Sequence, residues 1–206
     1  MSSLADKAFA KLQKLNSNAT TLEKNTLSNV SEWIDTGSLV LNSIISGSMY
    51  GGVPKGRITI FAGDSGCGKT FILNKILANA QRKGLIPVIF DTEIAVETEG
   101  AENVGLDTSK VKYVPVDTVE NCRNQIMALL DEVEKEPELH GKFIISIDSL
   151  GNLASEKELN DAEANKGAMD MGLRAKQLKS MMRLITFKAA VTGTTVICSN
   201  HTYANP

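Results

Sequence analysis

The chain lacks the long apolar stretch that a membrane-spanning helix or an export signal requires. No apolar run among its 206 residues approaches the roughly 20 residues that cross a bilayer. Asp6 and Lys7 place charge where a signal peptide would have its apolar segment. We therefore expect a cytoplasmic protein with no membrane contact.

Cysteine is scarce, and its spacing excludes two kinds of site. The three cysteines, Cys67, Cys122 and Cys198, are odd in number, lie far apart and form no C-x-x-C pair. A disulfide framework or a structural zinc site would need paired or closely spaced cysteines. The sequence therefore predicts three reduced thiols.

A strong net charge is also absent. With 22 Lys and Arg against 24 Asp and Glu, the formal net charge is −2. A chain of this charge does not attract nucleic acid through its overall field. Any binding of nucleic acid must therefore come from a local basic surface.

Apolar runs of strand length alternate with amphipathic helical patterns along most of the chain. Strands that are apolar throughout are typical of parallel sheets buried on both faces, and alternation of strands with helices is typical of α/β folds. The sequence therefore predicts an α/β domain with a mostly parallel sheet covered by helices. The predicted strands are residues 57–61, 85–91, 111–116, 143–148 and 194–199, and the predicted helices are residues 39–45, 71–82, 118–134 and 171–190.

The first 30 residues differ in character from the rest. An apolar stripe at helical spacing predicts a short amphipathic helix, followed by a polar linker over residues 16–26. The stripe consists of Leu4, Ala8, Leu12 and Leu15. We divide the chain into this helix and linker, residues 1–30, and a core, residues 31–206. Composition alone leaves open whether the stripe packs on its own core or on a neighbouring chain.

One segment matches the phosphate-binding P-loop, G-x-x-x-x-G-K-[ST], between a predicted strand and a predicted helix. The backbone N–H groups of such a turn and of the helix that follows favour a polyphosphate. Lys69 is predicted to reach the β- and γ-phosphates of ATP, and the Thr70 hydroxyl is predicted to ligate Mg²⁺. The predicted nucleotide-binding residues are Gly63, Asp64, Ser65, Gly66, Cys67, Gly68, Lys69 and Thr70.

Polar residues end three of the predicted strands, at the edge where parallel sheets bind ligands. Asp148 has the position of a Walker B acid, which would hold Mg²⁺ near Thr70. We favour Glu93 as the group that orients the attacking water, although spacing does not separate it from Asp91. His201 could contact the γ-phosphate or be an ordinary loop histidine.

A basic helical face is the second candidate site. No acidic residue lies between positions 171 and 190, where the basic residues are Arg174, Lys176, Lys179, Arg183 and Lys188. Lys176, Lys179 and Arg183 share one face. The polar stretch before them, residues 154–170, has the character of a mobile binding loop. This face is either ordinary solvated surface or a contact for nucleic acid.

Three stretches together resemble the phage UvsX recombinases of the RecA family. They are Ile144–Ser155, Met171–Lys176 and Asn200–Tyr203. Residues 36–39 and 51–58 are similar to the RecA approach to the P-loop, so the resemblance covers almost the whole chain. It implies a RecA-like P-loop NTPase core preceded by a helical polymerisation segment that docks on the adjacent protomer.

The resemblance also implies roles for the candidate residues. Glu93, Lys69 and His201 match catalytic positions, and His201 lies where the family senses the γ-phosphate. Thr70 and Asp148 match the metal-binding positions. The first DNA-binding loop corresponds to residues 154–170, and the residues implied for DNA contact are Lys166, Met171, Arg174, Lys176, Lys179 and Arg183.

The implied function is ATP-dependent homologous recombination by a DNA-dependent ATPase. Such a protein forms a filament on single-stranded DNA and promotes pairing and strand exchange. The implied partners are single-stranded DNA, further copies of the chain, a single-strand-binding protein and a recombination mediator. Two alternatives are a RecA-fold replicative helicase and a filament partner without catalytic activity.

Two departures from the family pattern modify this expectation. Gly100 stands where RecA proteins carry the aromatic residue that stacks on adenine, which implies a different or weaker hold on the base. The sequence ends at Pro206, before the position of the second DNA-binding loop. The resemblance therefore implies slow hydrolysis and no strand exchange by this chain alone.

Overall fold

The computed structural model describes residues 4–163 and 171–202. The strands are β1 (Trp33–Ile34), β2 (Val53–Pro54), β3 (Ile58–Gly63), β4 (Ile86–Asp91), β5 (Lys112–Pro115), β6 (Phe143–Asp148) and β7 (Thr195–His201). The helices are α1 (Leu4–Leu15), α2 (Leu39–Ser46), α3 (Lys69–Arg82), α4 (Thr98–Asn103), α5 (Val119–Lys135), α6 (Glu156–Glu163) and α7 (Met171–Thr192). The chain separates into two compact units, Met1–Val30 and Ser31–Pro206.

Five strands of the second unit form one parallel sheet in the order β3–β7–β6–β4–β5. The predicted α/β fold with a mostly parallel sheet is thus confirmed. Because the strands are parallel, their carboxyl ends meet at one edge. There Gly63 is the pairing partner of His201, and Asp91 is the pairing partner of Asp148.

The sheet is covered on both faces, which explains why its central strands are apolar throughout. Successive side chains of a strand point to opposite faces. Ile145 therefore joins a core cluster with residues of α5 and α7, whereas Ile144 joins a cluster with residues of α3. Each apolar residue of β6 has a helix to pack against, so no polar alternation is needed.

The approach to the P-loop is held by a small antiparallel ribbon. β1 pairs with β2 antiparallel, an element that the sequence did not predict because each strand has only two residues. The predicted short helix between them is α2, and the side chain of Ser38 caps it by accepting a hydrogen bond from the Leu41 N–H. Gly47 ends α2 with φ of 76°, a left-handed conformation that suits glycine.

The expectation of a loop over residues 154–170 is wrong for its first half, because Glu156–Glu163 forms α6. Ser155 and Glu158 make a reciprocal capping box, in which the Glu158 N–H donates to the Ser155 hydroxyl and the Ser155 N–H donates to the Glu158 carboxylate. The segment has little apolar periodicity, so the helix was not predicted. The Ser-x-x-Glu signature was the available signal. Residues 164–170, which include Lys166, lie outside the described residues.

α1 has no buried residue along its length, and all of its residues except the half-buried Phe9 are exposed. Its existence confirms the predicted N-terminal helix. Among the helices that the structure describes, none combines the length and the hydropathy that crossing a membrane requires.

Candidate nucleotide site

The P-loop connects β3 to α3 at the carboxyl edge of the sheet. Gly66 and Gly68 adopt left-handed conformations, with φ of 75° and 87°, so the turn needs glycine at these positions. The Lys69 side chain is buried and its ammonium donates to the carbonyl oxygens of Gly63 at 3.0 Å and of Asp64 at 2.8 Å. A fixed positive charge thus lies inside the loop, as expected of a site for phosphate.

Thr70 and Asp148 meet although 78 residues separate them in sequence. The Thr70 hydroxyl donates to one carboxylate oxygen of Asp148 at 2.6 Å, and the Ser199 hydroxyl donates to the other. Hydroxyl and carboxylate oxygens are the donors that Mg²⁺ prefers. Within residues 4–163 and 171–202, no group of three or more His, Cys, Asp or Glu side chains could hold a metal. These residues therefore fit an Mg²⁺ ion that takes its other ligands from phosphate and water.

Glu93 lies beside this pair and is held by two partners. The Ser149 hydroxyl donates to Glu93 Oε1 at 2.7 Å, and His201 Nε2 lies 3.2 Å from the same oxygen. These hydrogen bonds, first from Ser149 and then from His201, hold the pKa of the Glu93 carboxyl below its ordinary value of 4.5. Glu93 is therefore a carboxylate at neutral pH, the form that accepts a proton.

Asp91 has different surroundings from Glu93. Its side chain is 1% exposed and accepts hydrogen bonds from the backbone N–H groups of Glu93, Ile94 and Val96 at 2.9–3.1 Å. The Tyr113 hydroxyl donates to it as well, at 3.1 Å. All its acceptor capacity is thus used to shape the turn that presents Glu93, and no face is left for water.

Three polar residues that sequence reasoning missed connect the strand ends. Ser149 and Ser199 each bond a carboxylate of the site, as described above. The Thr92 hydroxyl accepts from the Ser149 N–H at 2.8 Å and donates to the Asp148 carbonyl at 3.1 Å. Thr92 and Ser149 directly follow the ends of β4 and β6, and Ser199 lies two residues before the end of β7, so a search of every polar residue near the strand ends would have found them.

Two adjoining cavities open at this edge. One, of about 250 Å³, is lined by P-loop residues together with Glu93, Asp148 and His201. The other, of about 660 Å³, is lined by Asp64, Glu93, Asn152, His201 and neighbouring residues. Glu93 and His201 line both cavities. The two residues therefore lie between the P-loop cavity and the larger cavity beside it.

The candidate DNA-binding residues of α7 fall into two groups. Lys176, Lys179 and Arg183 are exposed on one face, whereas Met181 and Ile185 are buried against the sheet. Arg174, in contrast, points into the chain. Its guanidinium donates to the carbonyl oxygens of three residues in the segment after β6, which are Leu150, Gly151 and Leu153.

Lys188 differs from the exposed basic residues of α7. Lys188 forms ion pairs with Asp131 and Glu134 on α5, and these partners raise the pKa of its ammonium. Its charge is therefore not part of the exposed basic face. Met171 begins α7 at the boundary of the described residues, and Lys166 lies outside them.

Comparison with known proteins shows similarity to one family. The family model for the RecA N-terminal domain matches residues 4–204. A recombination and repair protein of Enterobacteria phage T4 is 32% identical over 166 residues, which are 80% of this chain and 41% of that protein.

Bacterial proteins of the same family are similar to this chain as well. Protein RecA of a Nitratiruptor species is 34% identical and that of an Arthrobacter species is 32% identical, each over 169 residues and 82% of this chain. The chain spans 45% and 44% of the length of these two relatives, respectively. Because the family match extends over nearly all of the sequence and includes the P-loop and both carboxylates of the site, the chain belongs to the RecA family.

Proposed function

We propose that this protein binds MgATP at the carboxyl edge of its sheet, hydrolyses it, and uses it to assemble on single-stranded DNA for homologous pairing and strand exchange. The observation that carries the proposal is the convergence of three unlike groups. A buried ammonium, a hydroxyl–carboxylate pair and an ionised carboxylate come together from Lys69, Thr70 with Asp148, and Glu93. Phosphoryl transfer to water requires these three functions.

Each residue has a definite task in the proposed reaction. Lys69 neutralises charge on the β- and γ-phosphates, and the free N–H groups at the start of α3 bind phosphate oxygens. Glu93 orients a water molecule for in-line attack and accepts its proton, while His201, in contact with Glu93, reports the presence of the γ-phosphate. Mg²⁺, held by Thr70 and Asp148, supplies positive charge that stabilises the transferring phosphoryl group.

The proposed DNA contact is the exposed basic face of α7. Lys176, Lys179 and Arg183 lie three and four residues apart, so a single phosphate backbone can follow them along the helix. Met171, the first residue of α7, and Lys166, which precedes α7 in the sequence, are proposed to contribute as well. Arg174 is proposed to act through the segment after β6, because its guanidinium bonds three carbonyl oxygens there.

The proposed partners follow from the two surfaces and from the relatives. The apolar stripe of α1 is exposed, with Leu12 at 56%, so we propose that it docks on a further copy of the chain in a filament. A single-strand-binding protein and a recombination mediator are the other partners proposed. Both would control access of the filament to single-stranded DNA.

Single-turnover hydrolysis of MgATP, with and without single-stranded DNA, tests the proposal. We expect hydrolysis that disappears in Lys69→Ala and is lowered strongly in Glu93→Gln, together with DNA binding that depends on α7. A helicase would also unwind duplex DNA, and a filament partner without catalytic activity would hydrolyse nothing. A wild-type chain that binds no MgATP would overturn the proposal.

A further inference from the structure

Phe71 is exposed in a helix that is otherwise covered. Over positions 69–81, all of which the structure describes, every other residue of α3 is buried or half-buried, whereas Phe71 is 62% exposed. An exposed phenylalanine ring leaves apolar surface in contact with water, and burying that surface against a ligand would be favourable in free energy. The first turn of α3 is therefore open at one place, and a flat apolar ring lies there.

The backbone of Phe71 belongs to the phosphate-binding turn. The first hydrogen bond within α3 runs from the Ile72 N–H to the Gly68 carbonyl, so the N–H groups of Lys69, Thr70 and Phe71 have no acceptor inside the helix. These N–H groups face the position of the phosphates. A phosphate bound to the Phe71 N–H would therefore lie next to the residue that carries the exposed ring.

The helix next to α3 has an open position at its middle. α4 packs beside α3, since the Lys75 ammonium donates to the Val104 carbonyl at 3.3 Å and Val96 packs in the same core cluster as Ile72. Gly100, in the middle of α4, carries no side chain, and a Cβ atom there would meet nothing within 4 Å. The space beside Gly100 is therefore open to a ligand.

We propose that Phe71 is the stacking platform for the base of a bound nucleoside triphosphate. The inference rests on the proposed function, since it assumes that a nucleotide occupies the P-loop. A phenyl ring stacks on any base, because every base has a π-face and none of its hydrogen-bonding groups is read. The site should therefore hold purine and pyrimidine triphosphates with similar affinity.

Inorganic tripolyphosphate provides the direct test, because it fills the P-loop but has no base. In Phe71→Ala we expect the dissociation constant of MgATP to rise about tenfold, as for the loss of one base–aromatic stack, and that of magnesium tripolyphosphate to stay unchanged. Phe187→Ala removes a ring that is 59% exposed on α7 and is the matched control, with no change for either ligand. MgGTP and MgCTP should bind the wild type within several-fold of MgATP.

A spectroscopic variant gives a second readout. The chain has one tryptophan, Trp33, so Phe71→Trp adds a single new fluorophore. We expect MgATP to quench the added fluorescence by stacking, and tripolyphosphate to leave it unchanged. The wild-type chain supplies the Trp33 background.

Three outcomes would overturn the inference. Equal weakening of MgATP and tripolyphosphate in Phe71→Ala would mean that Phe71 supports the loop and not the base. Unchanged nucleotide affinity with reduced self-association would mean that the ring is a contact between copies. If the wild type binds neither ligand, the proposed function fails as well, whereas the first two outcomes leave it standing.

Discussion

The nucleotide site and the basic face of α7 are both built from charged residues, yet the two regions use them in opposite ways. At the nucleotide site each charge has partners within the fold, as with Glu93 between Ser149 and His201. On α7 the exposed charges of Lys176 and Lys179 extend into solvent from a helix that is anchored by its apolar side. The first region is arranged before a ligand arrives, and the second offers charge without fixed geometry.

This difference matches the chemistry proposed for each region. Transition-state stabilisation needs groups held at defined positions, because misplaced groups must be reoriented during the reaction. Binding of a phosphate backbone needs positive charge and little geometry, because its main driving force is counterion release. Substitutions at the nucleotide site should therefore change rates, whereas substitutions on α7 should change salt dependence.

The largest expected effect is that of Glu93→Gln. We expect the hydrolysis rate constant to fall on the order of a hundredfold or more, while MgATP affinity stays nearly intact, because the amide cannot accept the proton from water. Asp91→Asn is the matched control. It should lower the hydrolysis rate less and the unfolding midpoint more, because an amide in place of this buried carboxylate leaves a backbone N–H without an acceptor. Equal losses of binding and rate in Glu93→Gln would assign Glu93 a structural role.

The next effect concerns the exposed basic face. Neutralising Lys176, Lys179 and Arg183 to Gln should weaken binding of every single-stranded DNA sequence about tenfold and lower the slope of log K against log salt by about 2. Fluorescence anisotropy at several salt concentrations measures both. Neutralising Lys110, Lys112 and Lys142, which are exposed elsewhere, removes the same charge and should leave the slope nearly unchanged. If both triple variants behave alike, α7 is ordinary solvated surface.

A smaller, several-fold effect is expected at Cys67, the exposed thiol of the P-loop. Burial raises the pKa of Cys122 to about 12 and also raises that of Cys198, so neither forms thiolate readily. Cys67 should therefore be alkylated first, and MgATP should slow its alkylation several-fold by covering the loop. Mass-resolved alkylation with and without MgATP measures this. Indifference of Cys67 to nucleotide would contradict its position beside the phosphates.

The smallest effect is a shift in pH dependence on removing the Ser149 hydroxyl. The hydrogen bond from Ser149 is the main cause that lowers the pKa of Glu93, so Ser149→Ala should raise that pKa toward its ordinary value. Because its pKa is lowered, Glu93 stays ionised at pH values where an ordinary carboxyl group is already protonated. It becomes protonated only as the pH falls through the lowered pKa. The acid limb of the hydrolysis rate should thus move to higher pH, while the rate near neutral pH changes little. Thr202→Ala, which removes a hydrogen bond to Asp64 only, is the control.

Much of the fold could be predicted because it depends on local patterns. The runs that became β4 and β6 are apolar over their full length, and Thr118 was recognised as the cap of α5, where its hydroxyl accepts from the Asn121 N–H at 3.2 Å. The short strands of the β1–β2 ribbon were missed because two residues show no periodicity. α4 was missed for a similar reason, since its six residues carry no apolar stripe.

The candidate site divides in the same way. The P-loop and the two carboxylates Glu93 and Asp148 were predicted, because a motif and the strand ends mark them. The roles of Ser149 and Ser199 were not, since a serine next to a strand end carries no signal until the opposing carboxylate is known. Arg174 was expected to contact DNA, and its bonds to the segment after β6 depend on how α7 crosses that segment.

The sequence by itself determined the elements, their alternation and the P-loop, because these rest on the periodicity of neighbouring residues and on glycine conformation. Only the tertiary structure decided which of two acids faces water. Asp91 and Glu93 are two residues apart and chemically alike, but the first turns into the backbone N–H groups of its own loop and the second turns toward Ser149 and His201. That choice depends on Ser149 and His201, which lie 56 and 108 positions after Glu93 in the sequence and meet it at one edge of the sheet. No local pattern encodes such contacts.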